Sequence, residues 1–140
     1  DVSAAALSLA ARNAAQLGLE LELLQADLLT GAAADRAAAA DLVVRHPPYL
    51  PAADSDAVSP EVRHDPATAL YAGADGLDLY RQLLQQAAEL LKPDAWLLIE
   101  LDPRNVHAAA AAAHDWSVVR VEADLAGRER FLLLSQPGRR

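Results

Sequence analysis

Short apolar runs alternate with longer amphipathic stretches along this chain, and that alternation confines it to an α/β architecture built around a sheet. Ser3 stands where it can cap a helix from residue 4 to about residue 17, and Gly18 where it can end one. Residues 19–25 read as a strand that runs into Ala26 and Asp27, and the Ala-rich stretch 32–40 reads as a short helix or a loose connection. Residues 41–45 predict a buried strand that stops at Pro47 and Pro48. The stretch 50–76 is irregular, with Pro51, Pro60, Pro66, Gly73 and Gly76, and loops of that length inside a compact domain tend to be functional. Residues 77–92 follow as an amphipathic helix whose apolar side holds Tyr80, Leu83, Leu84, Ala87, Leu90 and Leu91. After the stop at Pro93 come a buried strand over 95–101, a helix over about 104–113, and strands over 116–122 and 129–134. No helix separates the last two, so they are expected to pair antiparallel.

Composition narrows the functional classes. With 140 residues, 53% of them hydrophobic, the chain can form one globular domain with a real core. The absence of cysteine excludes disulfides, thiolate metal sites and a cysteine nucleophile. The apolar runs are too short to span a membrane, no signal peptide opens the chain, and a cytoplasmic location is the default expectation. A net charge of −8 argues against broad affinity for nucleic acid, although an acidic surface by itself means little more than solubility. His64, His107 and His114 lack the spacing of a metal site, so no metal is expected. Asp75 with Arg81, and Asp124 with Arg128 and Arg130, read as ion pairs that hold loops, and Glu100 as structural rather than catalytic. The chain opens at Asp1 without an initiator Met, as a fragment would.

The sharpest local feature is His46-Pro47-Pro48-Tyr49 at the end of a strand. Ligands of open α/β sheets gather beyond the carboxyl ends of strands. Two consecutive prolines fix the backbone and leave carbonyls without local N–H competitors, so such carbonyls can accept from a substrate NH2 group while a neighbouring aromatic stacks on a flat substrate. On these four residues alone, a plain Pro-Pro strand stop is the favoured reading.

The wider sequence resembles the bacterial release-factor glutamine methyltransferases. The residues that carry the resemblance are Asp1, Val2, Ser3, Ala6, Leu7, Ala10, Ala11, Arg12, Asn13 and Ala14, with Arg12 spaced one residue more loosely than the family's second motif. Residues 25–29, Gln-Ala-Asp-Leu-Leu, resemble its acidic third motif, and residues 41–51 its fourth, normally Asn-Pro-Pro-Tyr. Residues 59–63, 73–77, 80–81, 91–100 and 124–130 resemble its insertion and closing motifs. Pro-Pro-Tyr alone is shared with methyltransferases that act on adenine and cytosine amino groups.

The resemblance implies a Rossmann-like S-adenosylmethionine-dependent methyltransferase sheet, lacking its first strands and ending in an antiparallel hairpin. Residues 1–140 would be a partial catalytic domain, without the Gly-rich cofactor loop and the family's N-terminal helical domain. The implied activity is N5-methylation of the glutamine in the Gly-Gly-Gln motif of class-1 peptide chain release factors, which would be the partners. The implied roles give the ribose hydroxyls to Asp1, the adenine amino group to Asp27 and the adenine face to Leu28. His46 and Pro47 are the implied catalytic pair, and His46, Pro47, Pro48 and Tyr49 the implied glutamine site; His46 also adjoins the cofactor. An amide nitrogen is a poor nucleophile, so rate would come from orientation and electrostatics.

Two departures qualify the resemblance. The strands expected between 19–25 and 41–45 are missing, so each should expose an unpaired edge, and the isolated chain is expected to fold poorly, rearrange or associate. His46 stands where the family has Asn; imidazole offers an acceptor nitrogen only when neutral, and repels an NH2 donor when protonated. The rival functions are methylation of an exocyclic amino group on a nucleic-acid base and an inactive fragment that only binds.

Overall fold

The computed structural model describes residues 1–137. A single sheet of four strands runs in the order β1-β2-β4-β3, formed by β1 (Leu42–Arg45), β2 (Trp96–Glu100), β3 (Trp116–Ala123) and β4 (Glu129–Pro137). β1 lies parallel to β2, while β4 runs antiparallel to both β2 and β3. The two final strands therefore form the expected hairpin. Asp124 closes its turn by accepting from the Ala126 and Arg128 amides, both at 2.9 Å.

The core grows from the pairing register. Leu97 faces Leu134 and Ile99 faces Leu132 across the β2–β4 ladder, and all four are fully buried. Helix α4 (Asp78–Leu90) lays Tyr80, Leu83 and Ala87 into the same cluster at helical spacing, and Leu91 follows. The Tyr80 hydroxyl donates to the Ala109 carbonyl at 2.7 Å, which ties α4 to α5 (Val106–Ala112). Burial pushes the Tyr80 phenol above its ordinary pKa. Two further α-helices are short: α2 (Ala32–Ala39) and α3 (Ala67–Leu70).

Helix α1 (Ala4–Leu17) starts and stops where the sequence places its caps. The Ser3 hydroxyl accepts from the Ala6 amide at 3.2 Å, and Gly18 takes the left-handed conformation, with φ 65°, that ends the helix.

Two expectations are corrected. Residues 19–25 join no sheet: Leu19, Leu21 and Leu23 are exposed, and pairing is limited to a single parallel rung with Asp1. In that rung the Asp1 nitrogen donates to the Leu24 carbonyl at 3.1 Å, and the Ala26 amide donates to the Asp1 carbonyl at 3.0 Å. An alternating Leu/Glu segment becomes a strand only beside a partner backbone, and among the described residues the main-chain hydrogen bonds it makes across to another extended segment are those with Asp1. The strand at 41–45 forms but is not buried. It is the sheet's edge, covered on one face, so Val43 packs on the core while Leu42 and Val44 remain 54% and 61% exposed.

Candidate active site

The sheet topology brings three loops to one edge. Because β1 and β2 are parallel, residues 46–49 and 101–105 leave the sheet at the same end. β4 begins there too, since Glu100 pairs with Phe131 and the Leu101 amide donates to the Arg130 carbonyl at 2.8 Å. The turn at 124–128 thus joins the edge where open α/β sheets place their ligands.

At the centre of this edge, Pro47 is fully buried and Pro48 half-buried, while His46 is exposed. The His46 ring leans on the Tyr49 ring, with centroids 5.4 Å apart and planes tilted by 46°. Among the described residues no donor reaches the Pro47 carbonyl. Neither Pro47 nor Pro48 brings an N–H of its own to compete for this acceptor. A substrate amide N–H that reached it would supply the missing donor. Tyr49 is half-buried, and its phenol is raised above its ordinary pKa by burial first and by Glu100 second, with Arg130 opposing.

Charged side chains brace the loops around the turn. Arg130 bridges Glu100 on β2 at 3.0 Å and Asp124 in the hairpin turn at 3.0 Å, and Arg128 adds a second contact to Asp124. Glu100 therefore has the structural part expected of it. The Asp75–Arg81 pair expected from the sequence also forms, and the Asp75 carboxylate accepts from the Leu77 amide at 3.0 Å as α4 begins. The Arg81 guanidinium holds the Asp75 carboxyl below the usual carboxylate range. The loop 50–76 is closed at its neck, where Leu50 N–H donates to Leu70 and Ala72 N–H donates to Leu50, at 2.9 and 3.0 Å.

The residues implied for the cofactor form a second group. Asp1 sits beside residue 25 through the single rung described above, two residues before Asp27, so the two acids end neighbouring segments. Oδ1 of Asp1 accepts from the Ser3 amide at 2.7 Å, which leaves Oδ2 open to an outside donor such as a ribose hydroxyl. The Asp27 side chain is exposed. Leu28 holds a φ of 50°, rare for a residue with a Cβ, and packs into the core with 8% of its surface open. The Leu29 amide, donating to Gln86 Oε1 at 2.9 Å, fixes that segment to α4. Two acceptor-only carboxylates thus stand on adjacent backbone segments, while Leu28 keeps nearly all of its surface in the core. Among the described residues there is no cluster of His, Asp or Glu able to hold a metal ion, and no helix long and apolar enough to cross a membrane.

The chain is similar in sequence to several known proteins. No family model matches the chain. Over 140 residues it is 47% identical to the release factor glutamine methyltransferase of Deinococcus radiodurans, a match that takes in 99% of this chain and 49% of that protein. The enzyme of the same name from Rhodospirillum rubrum is 41% identical over 136 residues, 95% of this chain and 41% of that one. By sequence, this chain is a relative of the release factor glutamine methyltransferases. It spans about half the length of the Deinococcus relative, 49%. A ribosomal protein uL3 glutamine methyltransferase from Bordetella pertussis is also similar, 44% identical over 79% of this chain and 37% of its own length. Among solved structures, the ribosomal protein L11 methylase of Lactobacillus delbrueckii subsp. bulgaricus superimposes with a TM-score of 0.56 at 17% identity, covering 98% of this chain and 55% of that one. That likeness establishes the fold, a Rossmann-like α/β sheet.

Within this methyltransferase relative, sequence reasoning passed over several residues of the edge. Arg104 links Asp102, after β2, to Asp54 in the 50–76 loop, with both contacts at 2.6 Å. Asp102 is buried, and the Arg104 guanidinium depresses its carboxyl below the usual range. Arg45 lies half-buried at the end of β1; its Nε is buried without a hydrogen-bond partner among the described residues, and burial lowers its pKa while Asp27 opposes. Asn105 donates to the Asp75 carbonyl at 2.8 Å and lies 3.5 Å from the Tyr49 carbonyl. With the helix expected from about residue 104, Asn105 carried no local signal of a contact with the His46–Tyr49 turn.

Proposed function

We propose that this chain supplies the substrate-holding edge of an S-adenosylmethionine-dependent enzyme that methylates a protein glutamine, the Gln of the Gly-Gly-Gln motif in class-1 release factors. The observation that carries the proposal is the Pro47 carbonyl, which accepts from no group among the described residues, in the turn where the His46 and Tyr49 rings meet at the carboxyl edge of the sheet. The sequence relatives, named as glutamine methyltransferases, support the same reading.

S-adenosylmethionine, when bound, supplies a sulfonium-activated methyl group. Asp1 and Asp27 are the residues here that would hold its ribose and its adenine amino group. Pro47 accepts one N–H of the glutamine amide through its carbonyl. His46, when neutral, accepts the other through a ring nitrogen, and Tyr49 flanks the planar amide. Two acceptors set the direction of the nitrogen, which matters because the amide lone pair is delocalised and orientation has to lower the barrier.

A second protein substrate is favoured by one finding, the similarity to an enzyme named for ribosomal protein uL3. Both substrates are glutamines, so the same edge would serve either. Calorimetric titration of the 140-residue chain with S-adenosylhomocysteine comes first. Saturable binding is expected; absence of heat from folded protein would reduce the chain to a relative without a cofactor site. Transfer of labelled methyl to a Gly-Gly-Gln peptide, a uL3 peptide and an adenine-containing oligonucleotide then separates the substrates. Labelling of the oligonucleotide alone would overturn the glutamine reading. His46→Asn is expected to raise transfer, because an amide oxygen accepts at every pH.

A further inference from the structure

Asn105 occupies the N-cap position of α5, yet its side chain makes no capping bond. Asparagine there ordinarily spends its side-chain oxygen on the helix's own amides. Here its NH2 group faces two carbonyls instead, Asp75 at 2.8 Å and Tyr49 at 3.5 Å. Two acceptors can be met only by the nitrogen end of the amide, which settles the orientation of the group. The backbone of Asn105 is itself pinned, since its N–H donates to Asp102 at 2.8 Å and its carbonyl accepts from Ala109 at 2.9 Å.

Gly76 packs against the same Tyr49 carbonyl, beside the Asn105 amide. It has φ 78°, and a Cβ built on it would stand 2.1 Å from the Tyr49 oxygen and 3.0 Å from Asn105 Nδ2. No side chain fits between them, and an L-residue would be strained there in any case. The backbone that follows is held as well: Leu50 pairs with the 70–72 segment, and the Ala52 amide donates to Gly73 at 2.9 Å. Tyr49 is thus fixed through its main chain by two segments far apart in sequence, which meet at one side-chain amide.

We propose that Asn105 is a positioning residue: a strut that ties the Pro47–Tyr49 turn to the 73–77 segment and sets the direction of the Pro47 carbonyl and the Tyr49 ring. Its consequence for catalysis rests on the function proposed above, whereas its mechanical part does not. The two are tested separately on the 140-residue chain with Asn105→Ala and Asn105→Gln. In the first arm, amide hydrogen exchange is measured by NMR. Asn105→Ala is expected to speed exchange at Leu50, Ala52 and Ala72 about fivefold, the size of one lost hydrogen bond, with the β2–β4 amides unchanged. Asn105→Gln, which keeps the donor, should return those rates towards wild type.

Unchanged exchange at Leu50, Ala52 and Ala72 would overturn the strut. So would equal loss of protection throughout β2–β4, or failure of Gln to recover what Ala lost. In the second arm, wild type and variants are assayed for methyl transfer to a Gly-Gly-Gln peptide. The strut predicts a kcat lower by about tenfold in Asn105→Ala, with KM for S-adenosylmethionine within about twofold, because misorientation rather than binding is at fault. A wild type that transfers nothing would sink the proposed function and leave the exchange result to decide the strut; a wild type that transfers and a variant with equal kcat would overturn the positioning role.

Discussion

Helices α1 and α4 are nearly equal in length and both carry Leu along the helix, and they end in opposite conditions. α4 sets Tyr80, Leu83 and Ala87 against the sheet with no exposed surface, whereas α1 buries only Ala14 and leaves Leu9 and Leu17 at 50% and 72% exposure. The same contrast separates the strand-like segments. β2 has neighbours on both edges and buries Leu97 and Ile99 completely; 19–25 has one rung and leaves Leu19, Leu21 and Leu23 exposed. Amphipathicity states what a segment can bury, but stability comes from the partner surface that receives it.

That comparison can be broken most easily in the core. Leu97→Ala should cost about 3 kcal/mol in urea unfolding, from lost transfer free energy and the cavity left behind, while Leu21→Ala should stay within about 0.5 kcal/mol. Similar costs for the two would mean that the 19–25 segment is packed in solution and the contrast is false. Tyr80→Phe is a smaller and sharper probe, because it removes one buried hydroxyl and leaves the Ala109 carbonyl without its donor. A loss of about 1–2 kcal/mol is expected by the same measurement. A neutral result would show that the link between α4 and α5 rests on packing alone.

The smallest effect is electrostatic. Asp102 and Asp124 have depressed carboxyl pKa values in the fold: Arg104 is the first cause for Asp102, and the Arg128 amide is the first for Asp124. The folded chain therefore holds fewer protons than the unfolded chain just below the ordinary carboxylate pKa of about 4. Their stabilising contribution is complete above that value and fades as the pH drops towards the depressed folded values. Tm should fall modestly on acidification below about pH 4, and less steeply in high salt. A Tm that held constant or rose over that range would remove the ion pairs of the candidate edge from the account of its stability.

Much of the fold was legible because its signals are local. The Ser3 cap, the Gly18 stop, the apolar face of α4 and the Asp124 turn each depend on a few neighbouring residues. The His46–Tyr49 turn was legible for the same reason, as two prolines after an apolar run. Asn105, Gly76 and Arg104 were not. Each acts on a residue brought close only by the β1–β2 pairing and the closure of the 50–76 loop, and nothing in the neighbouring sequence records that approach.

The sequence by itself thus determined the order of elements, the apolar faces and the chemistry carried by the turn after β1, since propensity, capping and periodicity are properties of adjacent residues. Only the tertiary structure decided which of those faces are covered. It placed Leu42 and Val44 at an open sheet edge, left 19–25 without a ladder, and turned Asn105 away from its own helix to the Tyr49 carbonyl. Burial and long-range hydrogen bonding depend on a second surface, and which surface arrives is settled by the way the whole chain packs.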